Sequence, residues 1–277
     1  STTPAANGAG IIEIGVGTDV VFNGSATFSD DGTGATYNWV FGDGGAANGQ
    51  MVNHIFNTPG TYTTTFSVTD TNPTGCTESA TITVVVLSPF LDVDDAIFTP
   101  EELITDVLIN SPCASVSNLN SSTGSDFGSS NGIGYFTTAG PFAFNSGIIL
   151  SSGLATAAEG PETATQSNGT GAWPGDADLE AAIGLANGIT NNASFIEFDF
   201  VPLADTISFE YIFASEEYGT FQCTFTDAFA FLLTDLNTNV TTNLAIVPGT
   251  TDVVSVLNVR DMAFNGGCAS VNETFFD

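Results

Sequence analysis

The residues best equipped for chemistry in this chain are carboxylates. Glu216 and Glu217 stand side by side, with Asp227 a short way along the chain. Adjacent residues on a strand point to opposite faces, so these two glutamates cannot flank one glycosidic bond as an acid/base pair does. If the chain turns at Ser215, one of them can join Asp227 as a structural carboxylate, a Ca²⁺ ligand or a catalytic group. Asp92, Asp94 and Asp95 form a second set. Alternating acidic oxygens beside backbone carbonyls suit a hard cation such as Ca²⁺, and a solvated acidic segment is the plainer reading. This is not an EF-hand loop, because its glycine and its final glutamate are absent. Asp176 and Asp178 either open a helix or hold a cation. Asp30 and Asp31 lie in a loop and offer a further candidate Ca²⁺ site. Asp43, in a Gly-Asp-Gly turn, is expected to cap that turn through its side chain.

The remaining reactive residues are few. His54 is the sole histidine, with no second nitrogen ligand and no Ser-His-Asp spacing around it, so a packing role is expected. Arg260 is the sole strong cation and is expected to pair with a buried carboxylate, Glu210 or Glu217. Trp173, beside Pro174 and Gly175, either stacks on a sugar face or anchors its own loop. The four cysteines lack CxxC spacing, which speaks against zinc. Cys223 with Cys268 is the preferred disulfide; Cys113–Cys268 and Cys113–Cys223 are its rivals, and Cys76 is free or pairs across the domain junction.

Composition narrows the function classes. In 277 residues there are 31 acidic side chains against one basic one, a net charge of -30. Such a chain repels phosphate backbones and anionic membrane surfaces, which excludes nucleic-acid binding and membrane-surface attachment. P-loop chemistry lacks its lysine. Disorder is excluded because 42% of the residues are hydrophobic and 23 are Phe, ample for a core. The self-repulsion calls for a saline medium or for bound divalent cations, both fitting an extracellular setting. No apolar run is long enough to insert in a membrane. The opening STTPAANGAG reads as a linker within a longer precursor.

The elements that position these residues are mostly β. Residues 1–10 form a linker. From 11 to 87, short alternating segments with turn signals between them predict an Ig-sized β-sandwich. Residues 88–98 form a junction, and 99–277 a second β-rich domain with two short helices. Thr99 as N-cap, Pro100 and Glu102 start the first helix with a capping box. Asp176 caps the second, which runs to Gly184. Strands are expected at 147–151, 193–201, 206–214, 227–233, 244–247 and 253–259.

Two resemblances follow from these residues. Trp39-Val-Phe41-Gly42-Asp43-Gly44, His54-Ile-Phe56, Pro59-Gly60-Thr61-Tyr62 and Val68-Thr69-Asp70 resemble the successive motifs of a PKD domain. In that reading Trp39 and Phe41 face inward, and Tyr62 and Phe66 fill the opposite sheet. Further on, Ser146 to Gly153, Gly175 to Leu179, Phe198 to Pro202, Asp227 to Phe231, Ala245 to Thr250 and above all Phe209-Glu-Tyr-Ile-Phe-Ala-Ser-Glu-Glu-Tyr218 resemble a choice-of-anchor L domain over about 92–277. That resemblance implies a secreted cell-surface protein of Bacteroidota, exported by the type IX system, and a jelly-roll-like sandwich. The family continues past Phe276, so the domain is expected to be incomplete at its C-terminus, with an open sheet edge that invites self-assembly. The implied function is a non-enzymatic adhesin or structural fragment, stabilised by Ca²⁺ and part of a multi-domain or filamentous assembly. Its partners would be other surface domains, copies of itself or cell-surface glycans. Asp227-Ala-Phe-Ala-Phe also resembles a lectin strand, so a lectin-like carbohydrate-binding module is the alternative, with an accessory region of a secreted hydrolase beside it.

Overall fold

The computed structural model describes residues 1–28, 33–70, 75–111, 115–140, 142–161, 166–202 and 208–276. Asp30, Asp31 and Cys113 lie outside the described residues. The chain divides into two compact units, one of residues 1–92 with 136–147, the other of 93–135 with 148–277.

The first unit contains two sheets. Alternation of apolar and polar residues puts one face of each strand in the core. The larger sheet has the order Ile11–Gly15, Cys76–Leu87, Gly60–Asp70, Thr36–Val40, Ala46–Asn48; the smaller has the order Thr2–Thr3, Asp19–Asn23, Met51–Ile55. The longest ladder of the larger sheet runs from Gly60↔Val86 to Asp70↔Cys76, antiparallel without a shift, whereas Ile11–Gly15 runs parallel to Thr83–Leu87. Ile12, Ile14, Val20, Phe22, Trp39, Phe41, Phe56, Val84 and Val86 form one core. Phe22, from the smaller sheet, tilts against Trp39 and Phe41 at 5.4 and 5.3 Å. The expectation that Phe66 and Tyr62 fill the sheet opposite Trp39 is wrong. Gly60–Asp70 is the direct neighbour of Thr36–Val40, so Trp39 and Phe66 are cross-strand partners with rings 4.4 Å apart. Phe22 supplies the opposing ring instead.

The Gly-Asp-Gly turn folds as its residues require. Gly42 has φ +85°, and a Cβ there would sit 2.8 Å from the carbonyl oxygen of Thr63, so only glycine fits. Asp43 accepts from the Gly45 amide at 2.8 Å and lies 2.7 Å from His54 Nε2. The His54 ring stacks flat on Phe41 at 3.8 Å. His54 therefore packs, and it also holds the turn.

The second unit is mostly β, in short sheets. Ser115–Ser122 pairs antiparallel with Phe195–Val201, with a register shift between Ser117 and Asn120 where Asn118 takes φ +52°. Leu232–Asp235 and Val240–Asn243 form a hairpin. The two short helices stand where their caps predict. Thr99 and Glu102 close a full capping box on Pro100–Glu102, which continues as a π-helical stretch, Leu103–Ile109. Asp176 Oδ1 accepts from the Leu179 amide at 2.7 Å and caps Ala177–Ala182.

The expected strands after residue 206 are mostly reduced to single bridges, Ala228↔Ser255 and Ile246↔Val253. Residues 203–207 lie outside the described residues, and 208–214 join no ladder among the described residues. Side chains take over there. Phe209 meets Phe231 at 4.4 Å and Tyr211 meets Phe229 at 5.2 Å. These pairs step along the two segments in opposite directions, as antiparallel neighbours do.

Candidate functional site

The densest acidic site lies in the turn that follows Phe213. Ser215 makes the turn: its hydroxyl donates to Asp227 Oδ2 at 2.6 Å and accepts from the Glu217 amide at 3.1 Å. The turn thus brings Glu217 and Asp227 together, which adjacency on a straight strand would not. Gln222 is fully buried and holds the loop from within, accepting from the Gly219 amide and donating to the Asp261 carbonyl at 3.0 Å. Asn265 donates to the Gly219 carbonyl at 2.7 Å. The Cys223–Cys268 disulfide ties the same loop to the segment that carries Asn265.

Electrostatics at this turn follow from crowding. Burial, then the charges of Asp227 and Glu216, push the Glu217 carboxyl above its ordinary range, and its Oε2 is buried without a partner among the described residues. Burial, with the Asp227 charge behind it, pushes the Tyr218 hydroxyl up to about 12. The Tyr218 ring meets Phe276 edge-on at 4.8 Å. Glu216 is directed elsewhere and accepts from the Gln166 amide at 3.1 Å. The Ser215 hydroxyl is committed to Asp227, and the chain's one histidine, His54, is bonded to Asp43. The arrangement is that of a cross-braced acidic turn.

The other acidic residues are placed one by one. Asp92 is exposed; Asp94 accepts from the Ala96 and Ile97 amides, both at 2.8 Å, and so caps its own turn. Asp178 is exposed in the first turn of its helix, where a negative charge suits the helix dipole. Among the described residues no three Asp, Glu, His or Cys side chains converge to hold a metal ion. Asp95 stands apart from Asp92 and Asp94: it lines a cleft with Asp126, Ser121, Ser125, Asn131 and Phe98.

Two expectations are corrected. Trp173 is not a free platform for a sugar. It is fully buried, its Nε1 donates to the Ala193 carbonyl at 2.8 Å, and a Cβ on Gly124 would lie 2.5 Å from its ring. It is the loop anchor, because an indole in an apolar site gains more from burial and one satisfied N–H than from water. Arg260 pairs with neither Glu210 nor Glu217: its Nε donates to the Ala269 carbonyl at 3.0 Å. Among the described residues the one acid–base side-chain contact within 4 Å is Asp43–His54, at 2.7 Å.

Two groups escaped the sequence reading. Glu180, in the second helix, is buried and accepts from the Gly188, Ile189 and Thr190 amides at 2.6–2.7 Å and from the Thr190 hydroxyl at 2.8 Å. Those bonds, the Thr190 amide first, hold its carboxyl below the usual range against the opposing effect of burial. Asp126 was hidden in Thr123-Gly-Ser-Asp126, a second capping box.

Two family models match the chain. The choice-of-anchor L domain model matches residues 92–277, and the PKD domain model matches residues 1–86. Among solved structures the chain is similar to one from a study of the promiscuous specificity of the carbohydrate-binding modules from the beta-sandwich super family. Identity is 24%, and the match covers 53% of this chain and 50% of that one, with a TM-score of 0.29. This chain thus spans half the length of that solved chain. No helix among the described residues is long and apolar enough to cross a membrane.

Proposed function

The chain belongs to the choice-of-anchor L family, with a PKD domain ahead of it, and from that premise we propose that it is a non-catalytic binding and adhesion segment of a cell-surface protein. One observation carries the reading. The two matches take up residues 1–86 and 92–277, leaving only a short junction for anything else. Both are domain types without catalytic chemistry of their own. The acidic turn is consistent with this, because Ser215 serves Asp227 and the Glu217 amide rather than a base. Secretion by the type IX route and stabilisation by Ca²⁺ extend the proposal. The support for calcium is the net charge of -30, which the chain's single basic residue cannot offset.

The test is a binding screen of the immobilised chain against a glycan array and against a second copy of itself, with and without millimolar Ca²⁺. Saturable binding to glycan or to self, with the bound glycan recovered unchanged, is expected. Release of hydrolysed product would overturn the reading. For calcium, the expected result is a rise in unfolding temperature larger than that produced by a monovalent salt at equal ionic strength. An equal rise removes calcium from the proposal.

A further inference from the structure

The cleft that holds Asp95 lies wholly within the second unit and has a volume of about 200 Å³. That is below the roughly 300–1,000 Å³ of sites for drug-sized ligands and on the scale of a single small ring. Its walls are fixed. Asn131 donates from Nδ2 to the Asp95 carbonyl at 3.0 Å and accepts from the Ile133 amide at 3.1 Å. Asp126 is held by the Thr123 amide at 2.9 Å through Oδ2. Phe98, half-buried, is set edge-on against Tyr135 at 5.0 Å. Ile133 and Pro100 complete an apolar side.

The polar side is open to solvent, with Ser125 and Asp126 exposed and Asp95 and Ser121 half-buried. The Asp95 carboxylate and the Ser121 and Ser125 hydroxyls have no partner among the described residues, and Asp126 has only one oxygen engaged. Two carboxylates with no cation beside them exclude an anionic ligand. A bare metal ion is disfavoured too, because no third acidic, His or Cys ligand joins them among the described residues and one wall is apolar. Carboxylates facing hydroxyl donors form short charge-assisted hydrogen bonds. An aromatic wall with a few convergent polar groups is the usual form of a small-molecule site.

We propose that this cleft binds one hydroxyl-rich, uncharged sugar ring, whose hydroxyls donate to Asp95 and Asp126 while its apolar face lies on Phe98. The assignment deepens the adhesion reading by naming a ligand class, and it rests on that reading. The experiment is saturation-transfer NMR and calorimetric titration of the whole chain with the methyl pyranosides of glucose, galactose, mannose and N-acetylglucosamine, with CaCl₂ titrated in parallel. At least one pyranoside binds with a Kd in the millimolar range. Asp95→Asn, which removes no bond seen within the protein, weakens it by about tenfold or more, as loss of a charged acceptor does. Phe98→Ala removes the transfer signal from the ring protons, and an unchanged circular dichroism spectrum controls for folding. Failure of every pyranoside to bind overturns the assignment, as does binding that survives both substitutions. Calcium binding abolished by Asp95→Asn with no sugar signal overturns it in favour of a cation site. Glycan-array or self binding that Asp95→Asn and Phe98→Ala leave intact sinks the cleft alone, whereas absence of all binding sinks the adhesion reading with it.

Discussion

The two units solve the same problem with different means. The first is held by long backbone ladders over one aromatic core, in which Phe22, Trp39, Phe41 and Phe66 touch in series. The second has short sheets, and its loops are pinned by single buried side chains: Trp173 on Ala193, Glu180 on 188–190, Gln222 on Asp261, and a disulfide. Ladders distribute stability over many equivalent bonds. Pins concentrate it in a few residues and leave the intervening loops free to carry a ligand site. Single side-chain substitutions should therefore damage the first unit through its aromatic core and the second through its pins.

That difference can be broken or sharpened by experiment. The largest effect is expected from Trp173→Ala, which removes a fully buried indole and its hydrogen bond and should cost about 3–5 kcal/mol in the second unit. Calorimetry should show one transition falling while the other stays, and Phe22→Ala should reverse the pattern. Equal movement of both transitions would show that the units unfold as one. Replacing Cys223 and Cys268 by serine should cost about 2–4 kcal/mol, again only in the second unit, read as a shift in urea midpoint.

The pH dependence separates two carboxylates with opposite signs. Glu180 ionises lower when folded than when unfolded, so its contribution is present above the unfolded value, about 4.3, and is lost as pH falls through the depressed folded value. Glu180→Gln should flatten that acid limb and lower stability at neutral pH. Glu217 ionises higher when folded, so it favours the folded state below about 4.3 and that advantage is lost as pH rises through the elevated value. Glu217→Gln should raise stability at neutral pH; a loss there would mean that its ionised form has a partner. The smallest effect is expected from Thr99→Ala, about 1 kcal/mol for one helix cap.

What could be read from the sequence tracks the same division. The Gly42-Asp43-Gly44 turn, the inward Trp39 and Phe41 and the two helix caps follow from local rules, because turns and caps involve residues a few positions apart. The assignment of Phe66 to the wrong sheet failed because alternation tells which face a residue takes but not which strand lies beside it. Trp173 was ambiguous because a Gly/Pro loop looks the same whether its Trp points in or out; only the contact with Gly124 decides. Glu180 was invisible for a related reason. Its partners lie one loop away, and nothing in an acidic helix distinguishes a solvated glutamate from one clasped by three amides. The cleft at Asp95 depends on Asp126 and Ser121, which no spacing rule connects to it.

The Cys223–Cys268 bond has a further consequence outside folding. Arg260 is the chain's only basic residue, and hence its only site for a protease that cuts after lysine or arginine. Its amide and carbonyl are both bonded to Val271 at 3.0 Å, an antiparallel bridge that occupies the backbone groups a protease would have to pair with. The site also lies inside the loop the disulfide closes. A cut there would leave the tail, through Cys268, covalently attached to the rest. A segment nicked there would still hold together.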